Sequence, residues 1–591
     1  MFERYLNLPA PPPLHPACPF PPMEDRSAWL SLPAADRASI HRLSEEYRAI
    51  SYPVLTATQF MAFTRTGDRL AWEKPYFLRR RKLCAALLGL CLDADAALLD
   101  DVIDGVWLIC EETSWVLSAH NGEGDKPPLP DPEAPYVDLF AAQTAMLLSL
   151  TAALAGRALD AASPLLLRRM RAEVERRVLV PFETRDDFWW MGLTRRDLCN
   201  WTPWIVSNAL LSACHWVTDP DRLWGIFRRG MAMLDRYVAV LPEDGGCDEG
   251  PGYWSMAGGA LLDCLDVLER AAGLSLWDDS KLKNILRFPL NAWLGGAWFV
   301  NFADCDAQPE IPGERLERAG ERLGDAALMA LGRRFRGDPA DALADTPQLW
   351  RMLNRLFHAP SDAPDAQPPG DVWLEGLELR LVRRGGLILA CKGGVNEGSH
   401  SHNDCGSFIL YHDGAPGIVD AGNMTYTAAT FSSERYSLWN TRSAWHNVPL
   451  IGDFEQQNGW DRRARAVKMT PDGLDMDLSD AYPIPGLRFN RSLALKDGGL
   501  LLRDAIVLDA PMPVTETLLL RHPPKIEGGV VVTGSLRITP DGAPRVELEE
   551  IPVTDPRMAR SFPGSLWRVR FFAQPAAAHD IRIAIEGVER D

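Results

Sequence analysis

Two histidines separated by a single residue lie in the most informative stretch of the chain, residues 396–408. Side chains at positions i and i+2 of an extended backbone point to the same side, so His400 and His402 share a face. Asp420 follows an apolar run, and His446 lies a little further along. Three imidazoles and a carboxylate can therefore gather in one small volume, where they could hold a metal, move a proton, or do both.

His402, Asp420 and His446 are the ligand types that zinc prefers, two imidazoles and one carboxylate, with a position left for water. They form no compact local motif, and the alternative is that Asp420 only caps a turn. His400 would lie beside the metal but face the cleft, where an imidazole can take or give a proton near neutral pH. We therefore expect zinc as a cofactor and a separate histidine that does chemistry.

A second polar segment, residues 247–254, places Tyr253 directly after Gly-Pro-Gly. Little side-chain bulk surrounds such a tyrosine, so its phenol could touch a substrate. With a pKa of about 10, a phenol donates a proton without help but needs positive charge nearby to act as a base. A tyrosine at a rim that caps the next helix is the alternative.

Two further polar positions lie in the first half of the chain. Asn200 precedes the aromatic sequence that starts with Trp201, and it is either a helix N-cap or a neutral donor to a ligand carboxylate. His120 follows Glu111 and Glu112 in apolar surroundings. A histidine in such a place is either a satisfied core group or a functional one.

The composition limits the class of protein. At 591 residues the chain is too long for one core, so two or three domains are expected. Its 46% hydrophobic and 24% charged residues are ordinary for a globular protein. The 11 cysteines are scattered without a C-x-x-C pair, which favours reduced thiols over a disulfide framework or a Cys-rich zinc module.

The net charge of −18 argues against nucleic acid as a partner. An acidic sugar could still bind where basic residues gather, and the runs 79–82 and 195–196 are candidates, with solvated helix ends as the alternative. No apolar run reaches the roughly 18 residues of a membrane span, so no membrane partner is predicted. The N-terminus lacks a secretory signal, which predicts a cytoplasmic protein as given, or a periplasmic or secreted one if a signal was removed.

Up to about residue 360 the apolar residues recur at i, i+3 and i+4, which predicts helices. Successive helical hairpins suggest an α/α toroid, with a plain bundle or a solenoid as alternatives. The predicted helices span 83–115, 139–159, 165–180, 204–216, 222–241 and 257–272.

Beyond a Pro-rich linker the apolar period changes to two, which predicts many antiparallel strands and a β-sandwich. The fold class is therefore multidomain, α then β: an α/α toroid at 1–360, a linker at 361–371 and an antiparallel β-sandwich at 372–591. The predicted strands span 377–382, 387–391, 407–411, 488–495, 500–508, 516–521, 530–538, 545–549 and 566–572.

Three segments resemble the signature of heparinase II/III-like polysaccharide lyases. They are residues 398–408, residues 420–422 and residues 442–447. The sequence around Tyr253 is similar to the catalytic tyrosine loop of that family. Asn200 with Trp201 is similar to the polar site that precedes a helix in the same family. The family combines an α/α toroid with a β-sandwich, which is the order predicted above.

The resemblance implies a role for each matching residue. Tyr253 would be the catalytic acid and also the base, His400 the second catalytic residue, and Asn200 would help to neutralise a substrate carboxylate. His402, Asp420 and His446 would match structural zinc ligands. The residues expected to bind substrate are His120, Glu249, Trp201 and Arg442.

Several lyases of the family carry a histidine near the asparagine, where this chain has Trp201. His120 or an arginine would then share the neutralising role. The activity implied is β-elimination from a uronic-acid-containing polysaccharide or oligosaccharide, which leaves a 4,5-unsaturated uronate end. The expected partners are this acidic glycan and, as one option, a second copy of the chain in a homodimer.

Three alternatives stay open on the sequence alone. A glycoside hydrolase on the same helical fold could use a pair of carboxylates such as Asp248 and Glu249, or Glu111 and Glu112. Zinc on the three predicted ligands could be catalytic, as in a metal-assisted hydrolase. A catalytically inactive carbohydrate-binding protein is the alternative that is not an enzyme.

Overall fold

The computed structural model describes residues 1–8, 11–124, 126–344, 346–398, 400–427, 429–542 and 544–588. Ser399 of the predicted histidine motif lies outside the described residues. The chain divides into two compact units that alternate along the sequence. The helical unit comprises Met1–Leu241, Met256–Asp279 and Pro312–Asp365, and the β unit comprises Pro242–Ser255, Ser280–Ile311 and Ala366–Asp591.

The α-helices of the described residues carry most of the first 360 positions, and a π-helical turn at Glu175–Leu179 joins the eighth to the ninth. They are α1 (Glu3–Leu6), α2 (Arg26–Leu30), α3 (Ala34–Arg48), α4 (Ala57–Thr66), α5 (Leu70–Asp93), α6 (Ala96–Glu111), α7 (Leu139–Ala162), α8 (Pro164–Val174), α9 (Val180–Thr184), α10 (Trp201–Trp216), α11 (Pro220–Val240), α12 (Gly258–Ala272), α13 (Ser280–Asn291), α14 (Gly313–Leu323), α15 (Ala326–Arg334), α16 (Leu349–Phe357) and α17 (Met558–Ser561).

The helices of the helical unit pack in two sets, an inner and an outer one. In the inner set α5 packs on α7, α7 on α10, α10 on α12 and α12 on α14. In the outer set α6 packs on α5, α8 on α7, α11 on α10 and α15 on α14. Inner and outer helices thus alternate along much of the chain, as expected for stacked α/α hairpins, because each hairpin buries its apolar stripe against the next.

Helix α7 is the most apolar element of the helical unit. By length and composition it could cross a membrane, but 89% of its most apolar window is buried inside the protein. The core helix of a globular protein passes the same test, so this single helix is weak evidence for a membrane span. Its contacts with α5, α8, α10 and α16 account for the burial.

The helix predicted at 83–115 is wrong in extent, because α5 ends at Asp93 and α6 begins at Ala96. Ala94 has the left-handed φ of 57°, and the Asp95 side chain accepts a hydrogen bond from the backbone of Ala97 to cap α6. Alanine carries no sequence signal for a break, since left-handed backbone normally favours glycine.

The basic run 79–82 lies inside α5, and Arg79 lines a cavity of about 350 Å³ together with Glu111 and Glu112. Arg79 and Arg80 are buried and donate hydrogen bonds to the buried Glu112, the shortest from Arg80 Nη2 to Oε2 at 2.8 Å. Lys82, also buried, pairs with Asp101 at 3.0 Å. The run is therefore not a solvated helix end, and a role for it in binding an acidic sugar stays a prediction.

The strands of the β unit include a two-stranded hairpin and one antiparallel sheet of 15 strands. The hairpin is β1 (Trp293–Gly295) and β2 (Trp298–Phe299). The sheet holds β3 (Val372–Leu374), β4 (Leu379–Arg384), β5 (Leu387–Lys392), β6 (Phe408–His412), β7 (Ala415–Ile418), β8 (Leu450–Ile451), β9 (Arg465–Thr470), β10 (Gly473–Asp477), β11 (Arg488–Lys496), β12 (Gly499–Leu520), β13 (Pro524–Glu527), β14 (Val530–Thr533), β15 (Leu536–Pro540), β16 (Arg545–Pro552) and β17 (Ser565–Gly587).

The sheet runs β13-β14-β15-β17-β12-β7-β6-β5-β4-β3, and β11, β10 and β9 branch from β12. β10 lies against β4 and β5, and β11 lies against β4, so the sheet folds over on itself. Leu389, Leu474 and Leu493 belong to the apolar core of these strands. The prediction of helices followed by an antiparallel β-sandwich is thus confirmed.

The compact units differ from the predicted boundaries of 1–360, 361–371 and 372–591 in two segments. Residues 242–255 and 280–311 lie before the predicted linker but pack within the β unit. The first of these segments carries Tyr253. The tyrosine loop is therefore part of the same compact unit as the histidine motif, a placement that local apolar periodicity does not reveal.

Candidate active site

The loop between β5 and β6 presents His400 in an unusual backbone conformation. His400 has a φ of 65°, in the left-handed region that non-glycine residues seldom adopt. Its carbonyl accepts a hydrogen bond from the backbone N–H of Asp304 at 3.2 Å. Such a conformation costs free energy and persists where surrounding contacts fix it, which is common at functional sites.

The Asp304 carboxylate, 2% exposed, binds both histidines of the motif. Its Oδ2 lies 2.9 Å from His400 Nδ1, and its Oδ1 lies 3.0 Å from His402 Nε2. Arg435 pairs with the same Oδ1 at 2.9 Å. These contacts lower the pKa of Asp304 against the raising effect of burial, so the group is an anion. Since a carboxylate anion only accepts, each imidazole nitrogen that faces it carries a proton.

Tyr253 lies next to His400, with their ring centroids 4.9 Å apart. The hydroxyl of Tyr253 is hydrogen-bonded to that of Tyr426, and the Tyr426 hydroxyl lies 3.2 Å from His400 Nδ1. Asn423 donates to the Tyr426 hydroxyl at 3.3 Å. Two phenols and an imidazole therefore form one connected hydrogen-bonded group.

The conformation of the tyrosine loop depends on Gly250. Its φ is 79°, and a Cβ there would lie 2.8 Å from the side chain of Cys305. Gly422, with a φ of 61°, approaches the same residue, because a Cβ would lie 2.3 Å from the Cys305 carbonyl oxygen. Glycines at both positions thus let two loops pack closely against Cys305.

Burial controls the protonation of the phenols and of Glu249. It raises the pKa of Tyr253, an effect that neighbouring Tyr426 increases. It also raises the pKa of Tyr426 to about 12, with the Asp304 charge adding to it. Burial likewise raises the pKa of Glu249 to about 7. Both phenols are therefore protonated at neutral pH, which suits proton donors and not bases.

His402, Asp420 and His446 lie together and fully buried, with one ligand atom from each within 4.8 Å of the others. His446 Nδ1 is 2.8 Å from Asp420 Oδ2, and the two imidazole centroids are 5.3 Å apart. His402 Nδ1 and His446 Nε2 are buried without a hydrogen-bond partner. Orphaned imidazole nitrogens are what a metal ion would satisfy, so the described residues fit zinc.

Asp304 also orients His402 toward this cluster. It accepts from His402 Nε2, which leaves Nδ1 as the nitrogen with the lone pair. A carboxylate behind a ligating imidazole is the usual arrangement at zinc sites. The same carboxylate therefore binds both His400 and the predicted zinc ligand His402.

The predicted residues of the helical unit form their own cluster. His120 Nδ1 lies 2.8 Å from the buried Asp138, and the His120 ring contacts that of Trp201 at 4.7 Å between centroids. Asn200 is at the N-cap position of α10, but its side chain makes no capping hydrogen bond. The capping role is thereby excluded, and its amide is left for another partner.

Arg442 is already paired in the structure. Its guanidinium is hydrogen-bonded to Glu455, including Nε to Oε2 at 3.3 Å. Glu455 Oε2 also accepts from the backbone N–H of Ala444, at 3.3 Å. This pair braces the loop that leads to His446, and a role for Arg442 in binding substrate stays a prediction.

Sequence reasoning did not select Asp304, Tyr426 or Arg435. None of them lies in a recognisable motif, and Asp304 is about 100 positions from its partners. The one available signal was a carboxylate inside the apolar stretch 298–305, since buried acids are rarely left without a partner. Arg435, which also donates to the Ser401 carbonyl at 3.0 Å, carried no signal at all.

Comparison with known protein families gives a match to part of the β unit. Residues 374–584 match the family described as Heparinase II/III-like, C-terminal. No curated protein matches the chain in sequence.

Three solved structures show the same fold. Heparinase III has a TM-score of 0.61 and 11% identity over 98% of this chain and 93% of that chain. A mutant of the heparan sulfate lyase HepC from Pedobacter heparinus has a TM-score of 0.57 and 14% identity over 94% and 89%. The chondroitin AC lyase of Streptomyces coelicolor A3, in complex with chondroitin sulphate, has a TM-score of 0.51 and 14% identity over 96% and 82%. At identities this low, the likeness shows a shared fold and nothing more.

Proposed function

We propose that this chain, which carries a heparinase II/III-like C-terminal domain at residues 374–584, is a lyase that cleaves uronic-acid-containing polysaccharides or oligosaccharides by β-elimination. One observation carries the proposal: a neutral phenol and an imidazole held by a carboxylate lie in ring contact, 4.9 Å apart. A proton donor and a proton acceptor side by side are what elimination requires. The family match and the shared fold support the same reaction class.

His400 is the base of the proposed reaction. Asp304 holds the proton on Nδ1, so the lone pair is on Nε2, and this nitrogen takes the C5 proton of the uronate. The electrons of the C5–H bond form the C4–C5 double bond, and the C4–O4 bond breaks with its electron pair on O4. A solvent molecule later removes the proton from the imidazolium.

Tyr253 is the acid. Its phenol gives a proton to the departing O4, and the Tyr426 hydroxyl then donates a hydrogen bond to the resulting phenolate. A donor placed where negative charge develops stabilises the transition state more than the ground state. The phenolate regains its proton from water, which closes the cycle.

The ring contact also favours syn elimination. Two side chains 4.9 Å apart leave no room for a sugar ring between them, so acid and base approach from one face. In glucuronate the C5 hydrogen and the C4 oxygen lie on the same face. We therefore expect cleavage at glucuronate and little at its C5 epimer, iduronate.

The C5 proton becomes acidic only if the adjacent carboxylate is neutralised. The resemblance implies this role for Asn200, with His120 as its partner, and both assignments stay predictions. Asn200 lacks a capping hydrogen bond and His120 is oriented by Asp138, observations that support the assignment.

Zinc on His402, Asp420 and His446 would be structural, because a bound metal would stabilise the loop that presents His400. The chain's own residues, His400 and Tyr253, carry the proton transfers. A hydrolase with Glu112 as one of two free carboxylates is not favoured, since Glu112 is bound by Arg79 and Arg80.

The test is incubation of the protein with a panel of uronate polymers and their short oligomers. A lyase produces ultraviolet absorbance from the new C4–C5 double bond in step with new reducing ends. A hydrolase produces reducing ends without that absorbance. Failure of the whole panel, with oligosaccharide binding retained, would support the carbohydrate-binding alternative.

A further inference from the structure

A cavity of about 420 Å³ opens in the β unit beside the two catalytic loops. Asp248, Gly250 and Pro251 of the tyrosine loop form part of its lining, and Gly398 and Ser401, on either side of His400, form another part. Its volume lies within the roughly 300–1,000 Å³ of small-molecule sites. A glycan whose uronate reaches Tyr253 would therefore extend its next residue toward this cavity.

The cavity combines an apolar floor with an exposed aromatic ring. Phe288, Val300, Phe302 and Leu379 line it, and all four are buried. Trp460, at the same cavity, is 72% exposed. An indole exposed to water beside an apolar cavity is typical of a platform for an apolar face, such as the C–H face of a pyranose.

The charges around the cavity are not those of an anion site. Four carboxylates line it against two cations, Lys392 and Arg463. Lys392 Nζ is already paired with the buried Asp404 at 2.7 Å, and Arg463 lies 3.9 Å from Glu378. Within the described part of the chain, both lining cations thus have a carboxylate partner.

The remaining lining carboxylates are Asp248, Glu375 and Glu397, on a chain whose net charge is −18. Carboxylate oxygens accept hydrogen bonds from sugar hydroxyls. They repel a sulfate ester or a second carboxylate, since like charges brought together at a binding surface cost affinity.

We infer that this cavity binds the uncharged sugar residue next to the cleaved uronate and excludes sulfate esters from it. The substrate would then be an unsulfated polymer in which uronate alternates with a neutral sugar. This inference rests on the proposed lyase function and deepens it by naming the substrate class.

The experiment compares chondroitin with chondroitin sulfate, which share a backbone, and with alginate, in which every residue is a uronate. We expect kcat/KM on chondroitin to exceed that on the sulfated polymer by at least about tenfold, with alginate poorer still. Glu397→Lys should reduce this ratio by at least about threefold, and Trp460→Ala should raise KM several-fold at unchanged kcat. Glu527→Gln, an exposed acid at the end of β13, is the control and should change neither value.

Equal rates on both chondroitins, cleavage of alginate alone, or an unchanged KM in Trp460→Ala would each overturn the inference. A second measurement separates it from the lyase proposal. Quenching of tryptophan fluorescence by a neutral N-acetylglucosamine oligomer should occur in the wild type and be lost in Trp460→Ala. If no polymer yields the double bond, the lyase function fails, whereas this quenching still reports on the cavity.

Discussion

Asp304 holds His400 through both its side chain and its backbone. Its Oδ2 lies 2.9 Å from His400 Nδ1, and its N–H donates to the His400 carbonyl at 3.2 Å. One residue thus fixes the ring orientation, the tautomer and the left-handed backbone of the proposed base. Because Asp304 is in the β unit but far away in sequence, the base depends on a long-range contact.

Replacement of Asp304 should therefore impair catalysis more than binding. We expect Asp304→Asn to lower kcat by about 10- to 1,000-fold with a smaller change in KM, because an amide cannot accept from both imidazoles as an anion does. Asp306→Asn, a neighbouring carboxylate paired with Arg557, is the matched control. Equal losses in the two variants would contradict a specific role for Asp304.

The two phenols should differ in importance. Tyr253→Phe removes the acid and should lower kcat by at least about 1,000-fold, whereas Tyr426→Phe removes only a hydrogen bond to it and should cost about 10- to 100-fold. Both rates follow from product absorbance, and unchanged thermal unfolding would show that the fold is intact. If Tyr426→Phe were the more damaging change, the acid would have to be reassigned.

Metal binding can be tested apart from activity. We expect about one zinc per chain by elemental analysis and its loss in His446→Ala, with the exposed His41→Ala as the control. Chelation should lower the unfolding temperature by several degrees, since bound metal stabilises only the folded state. Immediate loss of turnover without any change in unfolding would instead indicate a catalytic zinc.

Glu249 should make stability depend on pH. Its pKa of about 7 exceeds the ordinary 4.5, so the folded protein keeps a proton that the unfolded chain loses. The stability linked to this proton is complete below about pH 4.5 and is lost as the pH rises through 7. The free energy of unfolding of Glu249→Gln should therefore rise relative to that of the wild type over that range, by about 3 kcal/mol.

Thermal unfolding of both proteins at several pH values between 4.5 and 8 measures this difference. Glu243→Gln, whose side chain is 86% exposed, is the control and should track the wild type. A constant gap between Glu249→Gln and the wild type would show that Glu249 does not titrate as described.

Asn200 and His120 are the residues predicted to neutralise the substrate carboxylate. We expect Asn200→Ala and His120→Ala each to lower kcat/KM by about 10- to 100-fold, because each removes one donor to the carboxylate in the transition state. The exposed His15→Ala should have no effect. Full activity in both variants would transfer the neutralising role to other groups.

Much of the fold followed from the sequence because apolar periodicity differs between its two parts. The alternation in β11 buries Phe489, Leu493 and Leu495 on one face, as a period of two predicts. The break at Ala94 escaped detection, since a left-handed alanine has no sequence signature. The division of the chain into two alternating units was also not predicted, because only tertiary contacts assign residues 242–255 to the β unit.

For the site, residue types and spacing were enough to predict that His402, Asp420 and His446 gather in one volume with His400 beside them, as the structure shows. They were not enough to select Asp304, whose role comes from three partners contributed by a distant loop. A carboxylate in an apolar stretch indicates that it has partners, but the sequence does not indicate which residues they are. Such groups are visible only after the chain has folded.

The two longest strands, β12 and β17, have a consequence for how the protein is made. β17 pairs with β12, β15 and β16, and β12 pairs in turn with β7, the strand that precedes Asp420. During translation the sheet cannot close until the last of these segments has left the ribosome. The histidine loop, although synthesised much earlier, must therefore wait until β17 has been made before its final scaffold exists.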